Sequence, residues 1–232
     1  MTRTFSEFED FKGYLLERAG INALVVEPCP LSECKGWEVS SDHVGRPDGK
    51  FFQLVGRRVR AANGREESFW FQPMIVEVDT GYVGLVFAKS EGKLLVRVKG
   101  EPGNKGVEID GQDTHVLVSP PLQFSRSNLN LNDRVLRGEI TDRAPIPLAH
   151  LHNDARFPHQ SADAKEDGGR FAGKVNTYDL IIVPNLEVLE ADIQADKQRD
   201  DFAWVSLQLF AELGRQGLLN GHLRSVASTL VE

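Results

Sequence analysis

The residues best suited to chemistry lie in one polar stretch, from Arg97 to Asn128, that follows an apolar hairpin pattern. The first group in this stretch consists of Lys99, Glu101 and Asn104. The second group follows the next apolar run and consists of Gln123, Ser125, Arg126, Ser127 and Asn128. Cationic groups match phosphate oxygens, and amides and hydroxyls match sugar hydroxyls, so the stretch suits a phosphorylated, hydroxyl-rich ligand. From the residues alone, a hydrogen-bonded connector that turns at Pro102 and Gly103 explains the stretch equally well.

The second group has a spacing that depends on its backbone conformation. Side chains of an extended strand point alternately to its two faces. If LQFSRSN is extended, Gln123, Ser125 and Ser127 therefore project from the same face. The pattern predicts three hydrogen-bonding side chains that point together.

Other groups of residues in the sequence give weaker evidence for a functional site. His150, His152 and Asp154 in HLHND suggest a metal site, but solvated or hydrogen-bonded histidines are the commoner explanation, so we expect no metal. Cys29 and Cys34 lack the spacing of a zinc site and are interpreted as ordinary thiols. The sequence contains no G-x-S-x-G elbow and no glycine-rich phosphate loop, so we also expect no nucleotide or redox cofactor.

Composition narrows the class of protein. The chain has 232 residues, a net charge of −7 and a pI of about 5.5. Its Lys and Arg residues are scattered, which argues against binding to nucleic acid. No apolar run approaches the length of a membrane span and the first residues lack a signal-peptide core, so the sequence predicts a cytoplasmic protein with no membrane partner.

The elements that must position the polar stretch are predominantly strands. Alternating and β-branched runs predict strands in FFQLVGRRVR, SFWFQPMIVEV, HVLVS and YDLIIV, and GLVFAKSEGKLLVRVKG predicts a hairpin. A capping box at Thr4 predicts a helix to about Arg18, ended by Gly20, and residues 25–50 and 153–170 are predicted to be irregular.

The C-terminal region is predicted to be helical. An apolar stripe that starts at Phe202, with Asp201 as its cap, predicts one helix, and NGHLRSVASTLV predicts a second. Together, the predicted strands and helices indicate an α+β fold, with an antiparallel or mixed sheet flanked by helices. We expect a single domain over 1–232, with an N-terminal helix and connector (1–49), a sheet-rich ligand-binding core (50–190) and C-terminal helices (191–232).

Four segments, in order and spacing, resemble the NDP-hexose 2,3-dehydratase family of deoxysugar biosynthesis. They are WFQPM (70–74), KGEPGN (99–104), SPPLQFSRSN (119–128) and KEDGGRF (165–171). Members of that family carry W-x-Q-P-I, Q-A-K-x-E-P-G-N, S-P-T-x-Q-x-T-x-S-N and S-E-x-G-x-x-F at these places. With the helical ending, the resemblance covers roughly residues 50 to 230.

The resemblance implies a Nudix-like fold, although this chain lacks the clustered glutamates of a Nudix catalytic box. Family members usually contain two copies of the unit, so a single copy implies a homodimer by analogy. The chain departs from the family pattern at Arg97 and at Pro121. It also retains only Phe171, Lys174 and Asn176 of a later aromatic and basic segment.

The reaction implied by the resemblance is loss of water across C2 and C3 of a nucleotide-linked 4-keto-6-deoxyhexose, which gives a 3,4-diketo-2,6-dideoxyhexose. We expect dTDP as the nucleotide. Under this hypothesis Glu101 and Glu166 serve as acid and base, and Lys99 stabilises phosphate or enolate charge. The residues assigned to substrate binding are Trp70, Gln72, Asn104, Gln123, Ser125, Arg126, Ser127, Asn128, Arg170 and Asn176. A sugar-nucleotide-binding protein without turnover, and an isomerase or epimerase that shares the enolate step, are the alternatives.

Overall fold

The structure is a computed structural model that describes residues 1–49, 51–61, 69–77, 79–142, 144–165 and 170–227. Its contacts divide the chain into two compact units. The larger unit comprises residues 1–26, 82–162 and 177–232, and the smaller unit comprises residues 27–81 and 163–176. The expectation of a single domain over 1–232 stays a prediction. No helix in the described ranges is long and apolar enough to cross a membrane.

Strands form the greater part of the regular structure. Their bounds are β1 (Arg3–Phe5), β2 (Glu38–Val39), β3 (His43–Gly45), β4 (Phe52–Arg60), β5 (Phe69–Glu77), β6 (Gly81–Ala88), β7 (Lys93–Gly100), β8 (Glu108–Ile109), β9 (Gln112–Asp113), β10 (Val116–Ser119), β11 (Leu122–Ser125), β12 (His159–Lys165), β13 (Val175–Val183) and β14 (Phe202–Ser206).

Helices are fewer than strands among the described residues. The α-helices are α1 (Phe8–Asn22), α2 (Arg126–Leu136), α3 (Glu190–Ala195), α4 (Leu207–Arg215) and α5 (Gly221–Ala227). Short 3₁₀ turns lie at Leu31–Glu33, Ala149–Asn153, Glu187–Leu189 and Arg199–Asp201.

The main sheet has eight strands in the order β1-β14-β7-β6-β13-β12, with β10 paired to β7 and β11 paired to β6. β14 runs antiparallel to β7, whereas β1 runs parallel to β14, so the sheet is mixed. This confirms the predicted α+β class and the strand pairing of the β6–β7 hairpin. One edge of β7 pairs first with β6 and then with β10, which places Ser119 opposite Arg97 and Leu117 opposite Lys99.

Apolar side chains cover both faces of the main sheet. Leu94, Val96 and Val98 of β7 belong to one core cluster, with buried residues of α1, α4 and α5. Leu95 belongs to the second cluster on the opposite face, with Trp204. Successive residues of a strand face opposite sides, so a strand covered on both faces becomes apolar throughout. This explains why KLLVRV is a nearly continuous apolar run.

The N-terminal helix differs from its prediction at both ends. Thr4 does not cap it, because Thr4 lies in β1, paired with Trp204 of β14. The helix α1 begins at Phe8, and Glu7 precedes it without a side-chain capping bond. It continues past Gly20 to Asn22, where the amide of Asn22 donates to the carbonyl oxygen of Val98 at 3.2 Å.

The C-terminal prediction was wrong for residues 201–206. Phe202–Ser206 form the strand β14, and the helix α4 begins only at Leu207, capped by the hydroxyl of Ser206. The first four residues of the strand are all buried. A strand buried on both faces loses its alternation and resembles a helical stripe. Asp201 is an ion-pair partner, with Oδ1 2.5 Å from Nη2 of Arg18.

Two stretches predicted to be irregular contain strands. The 3₁₀ turn at Leu31–Glu33 and the strands β2 and β3 lie within 25–50. The polar segment 153–170 contains β12, which joins the main sheet as its edge strand. The residues of β12 from Gln160 onward are exposed, so no apolar alternation marks this strand in the sequence.

The smaller unit contains a four-stranded antiparallel sheet in the order β2-β3-β4-β5. The strands β4 and β5 pair along nine positions, from Phe52 opposite Glu77 to Arg60 opposite Phe69. The segment 170–172 attaches to β5, because the backbone N–H of Ile75 donates to the carbonyl of Arg170 at 2.7 Å. Lys174 then forms an ion pair with Glu77.

Candidate functional site

The centre of the candidate site is an ion pair at the end of β7. The ammonium nitrogen of Lys99 lies 3.0 Å from Oε1 of Glu101. Their side chains are 23% and 15% exposed, respectively, so the pair is largely withdrawn from water. Partial burial of opposite charges requires good geometry and additional hydrogen bonds, because each charge loses hydration.

Glu101 receives those additional hydrogen bonds from three other residues. The hydroxyl of Ser119 and the amide of Asn220 each donate to Oε1 at 3.0 Å. The amide of Asn104 donates to Oε2 at 2.7 Å. Glu101 is therefore held as a carboxylate by one cation and three neutral donors.

The strand β10 and the start of α5 deliver two of these donors. Ser119 is the last residue of β10, which lies beside the second half of β7. Asn220 precedes α5, and its backbone N–H donates to the carbonyl of Val118 at 2.9 Å. The side-chain oxygen of Asn220 accepts from the backbone N–H of Leu223 at 2.7 Å, which is the contact of a helix cap. Asn220 thus connects the candidate site to the start of α5.

Gln123 extends the cluster from the following strand, β11. Its Oε1 accepts a hydrogen bond from the ammonium of Lys99 at 3.1 Å and lies 3.5 Å from the amide nitrogen of Asn220. Lys99 therefore contacts Glu101 and Gln123 with two of its three donors. An ammonium with a further donor beside polar acceptors can stabilise negative charge on a ligand oxygen.

The pair shifts the pKa values of both groups. Burial lowers the pKa of Lys99, because it disfavours the charged ammonium, and the attraction of Glu101 opposes this only in part. Burial by itself would raise the pKa of Glu101, but the attraction of Lys99 and the hydrogen bonds from Lys99, Asn220 and Ser119 outweigh it and lower that pKa. Glu101 therefore remains ionised, and Lys99 gives up its proton more readily than a solvated lysine.

The predicted second group is divided between a strand and a helix. Gln123 and Ser125 lie on β11, whereas Ser127 and Asn128 lie in the first turn of α2. Ser125 caps this helix, since its hydroxyl accepts from the backbone N–H of Asn128 at 3.3 Å. The expectation of one extended face for Gln123, Ser125 and Ser127 was therefore wrong, because the N-cap turns the chain at Ser125.

Ser127 nevertheless stays close to the strand, and Arg126 lies at the helix start. The hydroxyl oxygens of Ser125 and Ser127 are 3.1 Å apart. Arg126 is exposed at the N-terminus of α2. The dipole of an α-helix favours anions at this end, so Arg126 and the helix start attract negative charge together.

A cavity of about 330 Å³ adjoins the polar cluster. Gln123 and Asn128 contribute polar groups to its lining, and Leu131, Val135 and Ile146 contribute apolar ones. This volume is at the small end of the range of about 300–1,000 Å³ that is usual for ligand pockets. Gln123 belongs to both the cavity lining and the Lys99 contact, so a ligand in the cavity is one side chain away from the ion pair.

The remaining predicted residues belong to the smaller unit or lie outside the described ranges. Within the smaller unit, the indole N–H of Trp70 donates to Oε1 of Gln72 at 3.1 Å. Arg170 is exposed, and Asn176 is buried with its side chain against Gly81. Glu166 lies outside the described residues. The structure therefore brings together Lys99, Glu101, Asn104 and Gln123. The catalytic and binding roles of all the predicted site residues stay predictions.

Sequence reasoning assigned no role in the site to Asn220 or to Ser119. Ser119 is the first residue of the segment SPPLQFSRSN. Asn220 carries the signal of a helix cap, since an Asn directly precedes the helical segment GHLRSV. No local pattern indicates that both side chains reach Glu101, since Asn220 is 119 positions away from it.

A second polar cluster was also missed. Asp179 is 1% exposed, and its carboxylate accepts hydrogen bonds from Tyr82 at 2.5 Å and from Ser161 at 2.7 Å. Nδ1 of His159 lies 2.6 Å from the same carboxylate. Burial, followed by the hydrogen bond to Asp179, raises the pKa of Tyr82. A lone aspartate in the apolar run YDLIIV is the signal that could have indicated this cluster.

The histidines of HLHND are engaged in other contacts. Nδ1 of His152 lies 2.7 Å from the carbonyl oxygen of Ala149, and Nε2 of His150 lies 3.4 Å from Asp192. Within the described ranges, no group of three or more His, Cys, Asp or Glu side chains could hold a metal ion. The expectations of no metal and no cofactor stay predictions.

The mixed sheet, with a partly buried lysine–glutamate pair beside a small cavity, defines an α+β protein with a candidate site for a polar small molecule. The particular family follows from comparison with known proteins. The chain belongs to the NDP-hexose 2,3-dehydratase family, whose model matches residues 8–230. This confirms the resemblance found in the four segments and extends it to the N-terminal helix.

Two curated relatives support the assignment. One is the dTDP-4-dehydro-6-deoxy-alpha-D-glucopyranose 2,3-dehydratase of Streptomyces violaceoruber, 28% identical over 95% of this chain and 46% of its own length. The other is the enzyme of the same name from Saccharopolyspora spinosa, 28% identical over 97% of this chain and 42% of its own length. The chain thus spans less than half the length of either relative.

Proposed function

We propose that this chain catalyses the loss of water across C2 and C3 of a nucleotide-linked 4-keto-6-deoxyhexose. The observation that carries the proposal is the Lys99–Glu101 ion pair beside a cavity, within a chain that belongs to the 2,3-dehydratase family. The names of the two relatives support dTDP as the nucleotide and a 4-dehydro-6-deoxyglucose as the sugar.

The reaction needs a site that accepts negative charge on the ketone oxygen. Removal of the proton at C3 moves its electron pair into the C3–C4 bond and places negative charge on the C4 oxygen. As the electrons return, a C2–C3 double bond forms and the C2–O bond breaks, and the hydroxide takes a proton and leaves as water. The resulting enol accepts a proton at C2, loses the proton of its C3 hydroxyl and becomes the 3,4-diketo-2,6-dideoxyhexose.

Lys99 is suited to stabilise the enolate. Its ammonium is oriented by Glu101 and Gln123 and withdrawn from water, and a fixed cation in such an environment stabilises developing charge more strongly than a solvated one. Its lowered pKa also brings it closer to the range in which it can donate a proton to the departing hydroxyl.

Glu101 acts in this proposal together with Lys99. A carboxylate that accepts four hydrogen bonds is a weaker base than a solvated one, because deprotonation of a substrate must displace one of those donors. Its contribution to acid–base chemistry is therefore made through the lysine that it holds. Glu166 is retained as the candidate for proton abstraction at C3.

The diphosphate is assigned to Arg126 and the N-terminus of α2. Arg126 is the first residue of the helix, three positions after Gln123. The positive charge and the helix dipole both favour phosphate oxygens there. Ser125, Ser127 and Asn128 supply further hydrogen-bonding groups for the sugar, while Trp70 and Gln72 are assigned to the nucleobase, and Arg170 and Asn176 to further substrate contacts.

The proposal extends to assembly, fold family and location. We propose a homodimer and a Nudix-like arrangement of the sheet and helices. We also propose a cytoplasmic location, since a charged nucleotide sugar does not cross a bilayer unaided. Light scattering of the purified chain tests the dimer, because a monomeric mass would contradict it.

A trapping assay tests the function. The purified chain is incubated with dTDP-4-keto-6-deoxyglucose and an aromatic 1,2-diamine, which condenses with a vicinal diketone to a stable quinoxaline. We expect a quinoxaline whose mass equals that of the substrate plus the diamine minus three waters, one lost in the dehydration and two in the condensation. Binding without any quinoxaline would instead identify a non-catalytic binder, and deuterium uptake at C3 without water loss would identify an isomerase.

A further inference from the structure

The cavity beside Gln123 has two chemically different sides. Gln123, Asn128 and Asn132 contribute its polar groups, and the side-chain oxygen of Asn132 is already bonded to the backbone of Ile146. Leu131 and Val135, one helical turn apart on α2, and Ile146 from the following segment form an apolar side. Leu131 and Val135 are half-buried and belong to neither core cluster of the described residues, so core packing does not account for their apolar character.

The apolar side is held in a fixed position. The backbone N–H of Ile146 donates to Oδ1 of Asn132 at 2.6 Å, and Asn132 is only 4% exposed. This bond joins the segment after α2 to the helix itself. Ile146 also packs against the second core cluster. The cavity wall is therefore part of the packed structure, and its shape is preformed for a ligand.

The position of the cavity indicates which part of a nucleotide sugar it takes. Gln123 contacts both the cavity and Lys99, so the ligand atoms in the cavity must lie close to the reacting carbons. The nucleobase is separated from those carbons by the ribose and the diphosphate. The C5 atom, which carries the methyl group of a 6-deoxyhexose, is bonded directly to the C4 ketone.

On the basis of the proposed function, we infer that this cavity binds the hexose ring and that Leu131, Val135 and Ile146 form the subsite of its C6 methyl group. The apolar wall selects a 6-deoxyhexose over a hexose with a hydroxyl at C6. A methyl group gains by leaving water for this wall, whereas a hydroxyl there loses its hydration and finds no partner on these three side chains. Discrimination of this kind is on the order of 10- to 100-fold.

Calorimetry with unreactive ligands tests the inference. The wild-type chain is titrated with dTDP-6-deoxy-D-glucose and with dTDP-D-glucose, which differ only at C6. We expect the 6-deoxy compound to bind at least about tenfold more tightly. In Val135→Thr, which keeps the side-chain shape and adds a hydroxyl, and in Leu131→Asn, we expect the ratio to fall to about threefold or less. The affinity for dTDP alone should not change.

A matched control is available on the same helix. Leu136 is 66% exposed and does not line the cavity, so Leu136→Asn should keep the wild-type ratio. Equal binding of the two sugars by the wild type, an unchanged ratio in both wall variants or no binding of either sugar would overturn the inference. The trapping assay separates this failure from failure of the proposed function, since quinoxaline formation together with equal binding contradicts the methyl subsite alone.

Discussion

The ammonium nitrogen of Lys99 lies 3.0 Å from Oε1 of Glu101, in a setting where both side chains are mostly shielded from water. The same oxygen of Glu101 accepts hydrogen bonds from Ser119 and Asn220 at 3.0 Å. The ion pair is thus one centre that connects β7, β10 and the start of α5. Removal of one partner leaves an uncompensated charge, which is why single and double substitutions at this pair should differ.

Lys99→Met should abolish dehydration and destabilise the fold. The remaining carboxylate of Glu101 loses its counter-ion, which costs up to about 5 kcal/mol for a buried pair. The double variant Lys99→Met/Glu101→Gln should recover most of the free energy of unfolding, measured by urea denaturation, and remain inactive in the trapping assay. Turnover by the double variant would show that Lys99 is not needed for the reaction.

Stability should fall with acid in a way that depends on Glu101. The folded-state pKa of Glu101 lies below its ordinary value of 4.5, so the folded state binds fewer protons than the unfolded state near this pH. The contribution is complete above pH 4.5 and is lost as the pH falls through the lower, folded-state pKa. The difference in free energy of unfolding between the wild type and Glu101→Gln should therefore shrink as the pH is lowered from 6 to 3.5, and a constant difference would contradict the assignment.

Two substitutions of Asn220 distinguish its role as the cap of α5 from its hydrogen bond to Glu101. Asn220→Asp keeps an oxygen that can accept from the backbone N–H of Leu223, but it replaces the amide that donates to Glu101 with a second carboxylate. Asn220→Asp should therefore keep the helix cap but lower activity and the free energy of unfolding, because two carboxylates then meet in the site. Asn220→Ala should lose both the cap, worth about 1 kcal/mol, and the site contact, without that repulsion.

Circular dichroism, urea denaturation and turnover of these two variants provide the measurement. Ser206→Ala is a suitable control, because Ser206 caps α4 without contacting Glu101. Ser206→Ala should lower the free energy of unfolding by about as much as the loss of the cap in Asn220→Ala, and it should retain activity. Equal activity of Asn220→Asp and the wild type would show that the amide contact to Glu101 is dispensable.

The Asp179 cluster should contribute mainly to stability. Asp179→Asn removes a buried charge that accepts from Tyr82 and Ser161 and neighbours His159, so each lost charge-assisted hydrogen bond should cost about 1.5–3 kcal/mol. Tyr82→Phe removes only one of these bonds and should cost less. Urea denaturation measures the loss in free energy of unfolding for each variant. A larger loss in Tyr82→Phe than in Asp179→Asn would contradict this account.

The sequence predicted the elements whose pattern is local. The hairpin of β6 and β7, the long strands β4 and β5 and the last helix α5 were all recognised from alternation, β-branched content and turn residues. The errors fall where tertiary contacts override local pattern. Thr4 pairs with β14 instead of capping a helix, and Phe202 to Val205 form a strand, because burial on both faces removes the alternation that would have marked it.

In the candidate site, too, local sequence indicates some features and tertiary contacts set the others. The sequence by itself determined the residue types, namely a lysine, a glutamate and several amides in segments that resemble the dehydratase family, because each segment is local. Only the tertiary structure decided that Lys99, Glu101, Gln123 and Asn220 meet, since they come from β7, its end, β11 and the start of α5. Strand pairing and helix packing between positions far apart in the chain set these distances, and no short window of sequence encodes such pairing.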